Sequence, residues 1–216
     1  MTRSPTRPGE RVFLAGAAGR IETVIDAPAG SFPGGARGIA LVAHPHPLYG
    51  GTLDNKVAQT LAKTFVELGW VAVRPNFRGA GASEGMHDNG EGETEDMIAV
   101  ARQVSERYPG LPVALAGFSF GAYIQTRVAR RVKMRRLVLV APPSGPVGDE
   151  RSYVTGDVPA DTIVIHGERD ETVPLASVFD WARPQELPVV VIPGADHFFH
   201  RRLHLISNIV KGAWRD

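Results

Sequence analysis

The sequence predicts a single α/β domain over residues 1–216, with a mostly parallel central sheet, helices on both faces and an antiparallel N-terminal edge. Six short apolar runs, rich in Val and Ile and with little polar alternation, are typical of parallel strands buried on both faces. Longer amphipathic segments separate these runs, and such alternation indicates a sheet covered by helices. A length of 216 residues suits one domain better than two.

The first two predicted strands cover residues 11–14 and 20–25, which flank the turn sequence GAAG and form a hairpin. The basic start of the chain and the apolar stretch VFLAGAA could also indicate a signal peptide. Gly16 and Gly19 interrupt this stretch and Arg20 follows it, so we expect a hairpin. No apolar run approaches the roughly 18 residues of a membrane span, and we expect a cytoplasmic protein.

The remaining elements follow a Pro/Gly-rich loop at residues 27–38. The buried strands are predicted at 39–43, 70–74, 112–116, 137–141, 162–166 and 188–192. Helices are predicted at about 54–68, 94–107, 121–132, 174–182 and 199–214, and the last has an apolar stripe from Phe199 to Val210. Only residues 142–161 separate the fourth and fifth buried strands, which is too short for a helical lid domain, so we expect an open site.

Composition narrows the kinds of partner. The net charge is +1, which does not indicate nucleic acid or an anionic membrane as the main partner. The chain has no cysteine, which excludes disulfides, thiolate catalysis and cysteine-ligated zinc. We therefore expect a small-molecule substrate and no metal or cofactor, and the sequence is compatible with a monomer or a homodimer.

Two stretches fit Gly-x-Ser-x-Gly, the pattern that carries a nucleophilic serine in many hydrolases: GASEG at 81–85 and GFSFG at 117–121. Such a serine sits on a sharp turn between a strand and a helix, so that the helix N-terminus faces the site. Ser119 lies between the strand PVALA and a helical segment. Ser83 is followed by a glycine-rich stretch where no helix starts for about ten residues. Ser119 is therefore the candidate nucleophile, and Ser83 is a loop residue.

A serine nucleophile needs a histidine base, which should follow the acid along the chain in this arrangement. His197 lies in a loop just after the strand PVVVI, at the edge of the sheet where catalytic groups gather. His200 and His204 fall within the predicted last helix, where surface positions are expected. We therefore predict that His197 is the general base.

The acid that orients the base should also follow a strand. Glu168, Asp170 and Glu171 all come directly after the strand TIVIH. Asp170 is favoured because Pro174 can open the next helix and leave it in a short loop at the strand ends. Glu168 is the main rival and Glu171 the weaker one. Asp196 is adjacent to the histidine, and neighbouring side chains in a loop tend to diverge.

An oxyanion formed at the serine needs two preorganised donors. One should be the backbone N–H of Phe120, directly after the serine, and the other should come from the loop HPHPLYGG after the strand IALVA. Prolines have no N–H, which leaves His46 or Leu48 as the donor. The spacing of His44 and His46 also suggests a metal site, but no third ligand is apparent.

These motifs resemble the α/β-hydrolase superfamily, and in particular the small, lidless bacterial hydrolases of the dienelactone-hydrolase-like group. The similarity extends over nearly the whole chain and is most specific at HPHPLYGGTLDNKV, RPNFRGAGASEG, GEGETEDM, AGFSFGAY, HGERDETV and DHFFH. The resemblance implies that Ser119 is the nucleophile, Asp170 the acid and His197 the base. It also favours His46 over Leu48 as the second oxyanion donor. In this chain Pro45 replaces the glycine that is usual before that donor.

The resemblance has limits that bear on function. Dienelactone hydrolases proper have a cysteine nucleophile, and the serine here means that their specific activity does not transfer. We expect a serine hydrolase that cleaves carboxylic esters or thioesters of small or accessible acyl groups through an acyl-enzyme. The alternatives are an amidase or peptidase with the same triad, or a non-catalytic binding protein with this fold.

Overall fold

The structure, a computed structural model, describes residues 9–28, 35–148 and 151–214. The basic start of the chain and half of the Pro/Gly-rich loop lie outside the described residues. The strands are β1 (Glu10–Gly16), β2 (Gly19–Asp26), β3 (Ile39–Ala43), β4 (Val71–Pro75), β5 (Val113–Phe118), β6 (Arg136–Val140), β7 (Gly145–Val147), β8 (Arg151–Tyr153), β9 (Ile163–Gly167) and β10 (Val189–Ile192). The helices are α1 (Lys56–Glu67), α2 (Glu91–Arg107), α3 (Phe120–Ala129), α4 (Leu175–Ala182) and α5 (Leu203–Ala213).

Eight strands form a mixed sheet in the order β1-β2-β4-β3-β5-β6-β9-β10. The first pair is antiparallel, and β2 also pairs antiparallel with β4. All the other pairs are parallel, which confirms the predicted fold class. Because the parallel strands run the same way, the loops after β3, β5, β9 and β10 meet at one edge of the sheet.

Apolar side chains cover both faces of the sheet. On one face the strands pack against α2, α3 and α4, whose buried residues include Met97, Ile124 and Val178. On the other face they pack against α1 and α5. There the Phe65 and Trp214 rings meet edge to face at 5.0 Å between centroids. This two-sided burial explains the near absence of polar residues in the parallel strands. Of the helices in the described part of the chain, none is long and apolar enough to cross a membrane.

Helix α5 starts four residues later than the sequence indicates. Phe199 and Arg201 have positive φ angles of 53° and 60°, which interrupt the helical path before Leu203. Phe199 is nevertheless fully buried. Its apolar side chain therefore fits the helical spacing of the sequence, although its backbone is not helical. As a result, His200 precedes the helix, whereas His204 lies within it. The prediction of a helical His200 is therefore wrong.

Residues between β6 and β9 form a small hairpin in place of a lid domain. Its strands, β7 and β8, pair only with each other, antiparallel, from Gly145 opposite Tyr153 to Val147 opposite Arg151. Each strand has only three residues. Tyr153 and Val147 are buried against the core, which holds the hairpin near the end of β5 and the start of α3.

A buried ion pair joins three parts of the fold. The Arg78 Nε donates to Asp96 Oδ2 at 2.7 Å, and the side chains are only 10% and 4% exposed. The other oxygen of Asp96 accepts from the backbone N–H of Ala17 at 3.0 Å. The pair therefore connects helix α2, the loop after β4 and the turn of the N-terminal hairpin. Each oxygen of the Asp96 carboxylate thus accepts one of these hydrogen bonds.

Replacing Asp96 with Asn should lower the free energy of unfolding by about 3 kcal/mol, because the buried Arg78 charge loses its closest counterion and keeps only the longer contact of 3.9 Å with the exposed Asp88. The matched control is Glu95→Gln, which removes a carboxylate from the same helix in an ion pair with Arg131 that is half exposed. Such exposed pairs contribute little. Urea denaturation of the two variants measures the difference, and equal destabilisation would contradict a special role for the buried pair.

Candidate active site

The serine of GFSFG occupies a strained turn between β5 and α3. Ser119 has φ 54° and ψ −123°, a backbone conformation that L-residues rarely adopt. Its N–H donates to the carbonyl of Val140 at 2.9 Å, which holds the turn against β6. A Cβ on Gly121 would lie 2.5 Å from the carbonyl oxygen of Ala43, and one on Gly117 would overlap the backbone of Gly121. The two glycines of the motif are thus required by close backbone packing.

The structure brings Ser119, His197 and Asp170 together in one hydrogen-bonded chain. His197 Nε2 lies 3.0 Å from Ser119 Oγ, and His197 Nδ1 lies 2.7 Å from Asp170 Oδ2. The other oxygen of Asp170 accepts from the N–H groups of Thr172 and Val173 at 3.0 and 2.7 Å. With the carboxylate as acceptor, the neutral imidazole carries its proton on Nδ1 and leaves Nε2 free to accept from the serine hydroxyl.

The rival acids have other roles. Glu168 Oε2 accepts from the N–H of Gly194 at 2.6 Å, which ties the loop after β9 to the loop after β10. Glu171 is exposed to solvent. Asp196 binds His200, with 2.6 Å between Oδ2 and Nδ1, on an exposed surface. None of the three contacts the imidazole of the serine site, whereas Asp170 does.

The serine of GASEG lies in a loop, as the sequence indicates. Ser83 Oγ accepts from the N–H of Glu22 at 3.0 Å and donates to the carbonyl of Asn76 at 2.9 Å. Both partners are backbone groups, so the hydroxyl connects the loop after β4 to strand β2. Its function is structural.

The loop after β3 is held by a buried neutral histidine. His44 Nδ1 lies 2.6 Å from the carbonyl oxygen of Pro45, and Nε2 accepts from the N–H of Phe77 at 2.9 Å. Complete burial lowers the pKa of His44 to about 4, which keeps the ring neutral near pH 7. Both ring nitrogens therefore bind backbone groups, and His44 supports the loop.

The geometry of this loop favours His46 over Leu48 as a backbone donor to the site. The N–H of Leu48 lies 3.3 Å from His46 Nδ1 and donates to it, and the Leu48 side chain is 69% exposed. His46 lines the same cavity as Ser119, and its ring packs on that of Phe120 at 4.7 Å between centroids. Phe120 is the first residue of α3, where backbone N–H groups have no acceptor within the helix. The N–H groups of Phe120 and His46 thus remain the predicted oxyanion donors.

Known proteins share both the sequence and this architecture. Residues 50–149 match the profile of the serine aminopeptidase family S33. The uncharacterized protein RP471 of Rickettsia prowazekii is 33% identical over 181 residues, which cover 80% of this chain and 76% of that protein. The crystal structure of XC6422 from Xanthomonas campestris, a member of the α/β serine hydrolases without a lid, superposes with a TM-score of 0.88 at 33% identity, over 98% of this chain and 96% of that one. The chain belongs to the lidless α/β serine hydrolases.

A second solved structure gives the same assignment. An α/β serine hydrolase homologue from Coxiella burnetii is 40% identical, has a TM-score of 0.85 and matches 97% of this chain and 99% of its own. In both cases the similarity extends over almost the entire length of the two chains. The resemblance that the sequence motifs suggest is therefore confirmed at the level of the family and of the lidless architecture.

The hydrolase has a buried histidine behind its acid that the sequence analysis did not single out. His166 lies in strand β9 and is fully buried. Its Nε2 lies 2.9 Å from the carbonyl oxygen of Val173. The same nitrogen is 3.5 Å from Asp170 Oδ2. Burial lowers the pKa of His166, so the neutral ring donates from Nε2 and supports the loop that presents Asp170. A histidine in an otherwise apolar strand was the one signal for it.

The cavity of the hydrolase opens above Ser119 and His197 and has a volume of about 330 Å³. Its further lining combines aromatic, polar and cationic side chains and comes from several loops. These residues are Pro45, His46, Tyr49, Gly50, Gly51, Asn55, Arg151, Thr172 and Phe198. The sequence motifs point to the two histidines and the serine but give no indication of Arg151, which lies on the short strand β8.

The neutral buried His44 should make the hydrolase less stable in mild acid. In the unfolded chain a histidine has a pKa of about 6.5, whereas in the folded protein the pKa of His44 is about 4. Between these values the unfolded chain binds a proton that the folded chain does not, so stability falls as pH is lowered. The full loss, reached near pH 4, is about 3 kcal/mol.

The variant His44→Gln keeps a donor and an acceptor but does not titrate. Urea denaturation at several pH values between 7 and 4.5 should show a weaker decline of stability for this variant than for the wild type. His204→Gln, which removes an exposed histidine, is the control and should follow the wild type. Parallel curves for wild type and His44→Gln would show that His44 does not carry the acid sensitivity.

Proposed function

We propose that this hydrolase cleaves carboxylic ester or thioester bonds of small or accessible acyl substrates through an acyl-enzyme on Ser119. The observation that supports it is the hydrogen-bonded chain from Asp170 through His197 to Ser119, which ends at an open cavity. These three groups have the types and the mutual distances that nucleophilic catalysis by serine needs.

In the proposed reaction His197 Nε2 takes the Ser119 proton as the hydroxyl attacks the substrate carbonyl. Asp170 stabilises the imidazolium that forms, and the N–H groups of Thr172 and Val173 keep its carboxylate in place. The imidazolium then returns the proton to the leaving alcohol or thiol. A water molecule, deprotonated by the same imidazole, releases the acyl group and restores the serine.

The negative charge that develops on the carbonyl oxygen requires donors that are already oriented. We assign these to the backbone N–H groups of Phe120 and His46. Phe120 starts α3, so the positive end of the helix dipole faces the same point. Loss of one such donor costs about 3 kcal/mol in comparable enzymes. The packing of the His46 ring on Phe120 holds the two donor loops against each other.

A peptidase is the alternative that one comparison favours, since residues 50–149 match the serine aminopeptidase family. An aminopeptidase must hold the ammonium group of its substrate, for which proteins use carboxylates. Among the described residues that line the cavity there is no carboxylate, and the permanent charge there is the cation of Arg151. The guanidinium would repel the ammonium group of an aminopeptidase substrate. Its presence therefore favours an ester or thioester substrate.

Labelling with a fluorophosphonate probe tests the nucleophile. The wild type should be labelled at Ser119 and Ser119→Ala should not. The rate of hydrolysis of p-nitrophenyl acetate and p-nitrophenyl butyrate should fall by about 1,000-fold or more in Ser119→Ala. Without the nucleophile, the site retains only substrate binding and the oxyanion donors. Ser83→Ala is the matched control, since it alters the serine of the other Gly-x-Ser-x-Gly stretch and should keep labelling and turnover.

Two results would overturn the proposal. A wild type that resists the probe would indicate a non-catalytic binding protein. A wild type that hydrolyses amino-acid p-nitroanilides faster than the matching esters would favour the peptidase, because the ester is the chemically easier substrate and its disadvantage would show a site built for amides.

A further inference from the structure

A second, smaller cavity adjoins the catalytic one. It has a volume of about 160 Å³ and shares two lining residues, His46 and Arg151, with the catalytic cavity. Its other lining is mostly polar and aromatic: His87, Asn89, Phe120, Tyr123, Ser152 and Tyr153. Arg151 therefore stands at the boundary of the two cavities.

The position of Arg151 is fixed by neighbouring aromatic rings. Its guanidinium lies over the ring of Tyr49, with 4.3 Å between Cζ and the ring centroid. Tyr153 lines the small cavity together with Arg151, and its ring packs at 5.1 Å from that of Tyr123. Tyr49 lies in the loop after β3 and Arg151 on β8, so this contact joins the two segments and places the guanidinium at the boundary of the cavities. A planar cation fixed in this way is preorganised for a planar anion.

The charge of Arg151 has no counterion in the described part of the chain. No carboxylate there lies within salt-bridge distance of it, and its guanidinium lies over the Tyr49 ring. Glu93 is fully buried and pairs with His87, with 2.8 Å between Glu93 Oε1 and the ring Nδ1. Burial, His87 and Arg151 together lower the pKa of His46 to about 4, so the His46 ring is neutral near pH 7 and does not compete with the guanidinium for an anion.

We propose that Arg151 is an anion-binding residue for the substrate, and that the hydrolase acts on half-esters, in which one end carries the scissile ester and the other a free carboxylate. The proposal rests on the proposed function for the position of the ester at Ser119. The carboxylate would bind the guanidinium in a bidentate pair. Asn89, Ser152 and Tyr153 add polar groups to the lining of the small cavity that Arg151 shares.

Binding to an inactive protein tests the subsite without any hydrolysis. Ser119→Ala should bind monoethyl adipate about 10-fold more tightly than ethyl adipamate, in which a neutral amide replaces the carboxylate at the same size. A 10-fold preference is at the lower end of the range for a hydrogen bond to a charged group. We expect this low value because Arg151 is partly exposed and solvent weakens the interaction. In Ser119→Ala with Arg151→Met the preference should disappear. Calorimetric titration of both esters measures it.

Kinetics on the active protein provide the second test. The wild type should have a kcat/KM for the half-ester about 10-fold above that for the amide ester, mainly through a lower KM. Arg151→Met, which keeps a long side chain over Tyr49, should bring the ratio of the two kcat/KM values close to one. Arg151→Lys should keep part of the ratio, since it retains the charge without the planar fork.

The control is Arg131→Met, which removes one positive charge from the surface of the protein and lies outside both cavities. It should keep the preference for the carboxylate. Fluorophosphonate labelling of Arg151→Met shows that its Ser119 site is intact. Equal binding of the two esters to Ser119→Ala, or an unchanged preference in Arg151→Met, would overturn the subsite. Failure of the wild type to react with the probe would instead overturn the proposed function.

Discussion

The close packing of backbone against backbone at the serine turn is the constraint on which the rest of the site depends. Gly121 lies against the carbonyls of Ala43 and His44, so the start of α3 is fixed directly on the end of β3. The same contact sets the distance between the serine turn and the loop that bears His46. No side chain larger than hydrogen fits there, and the positive φ of Ser119 is kept by this packing and by its bond to β6. Sterics therefore position both the hydroxyl and the predicted oxyanion donors.

On the other side of the site, two loops hold each other in place by similar means. Gly167 packs closely on the carbonyls of Ala195 and Asp196, and the N–H of Arg169 donates to the Ala195 carbonyl at 2.8 Å. The loop with Asp170 and the loop with His197 are thus linked along their backbones before any side-chain contact is counted. Glu168 adds to this link through the N–H of Gly194, and the buried His166 holds the Asp170 loop through the carbonyl of Val173. The distance between acid and base is a property of the two loops together.

The sequence predicts those features that depend on local pattern. The buried parallel strands follow from their apolar runs, and the turn at Ser119 follows from a strand, a small-residue motif and a helix in immediate succession. The start of α5 cannot be predicted in this way, because the helical spacing of apolar residues includes Phe199, where the backbone is not helical. The sequence does not predict the roles of His166 and Arg151, for a different reason. Their surroundings are formed by residues far apart in the chain, and β8 is too short to show any periodicity.

The hairpin of β7 and β8 bears the residue proposed to bind the substrate, apart from the strands that position the reactive groups. Ser119, Asp170 and His197 follow strands of the central sheet, whereas Arg151 lies on a ribbon that pairs only with itself. Val147 and Tyr153 of the ribbon belong to the core, but Arg151 is only partly buried, so a substitution there changes the cavity and leaves the packing of the central strands unchanged. In evolutionary terms the ribbon is a module for substrate choice. Related chains with the same serine turn and a different residue at this position would be expected to share the chemistry and differ in what they hydrolyse.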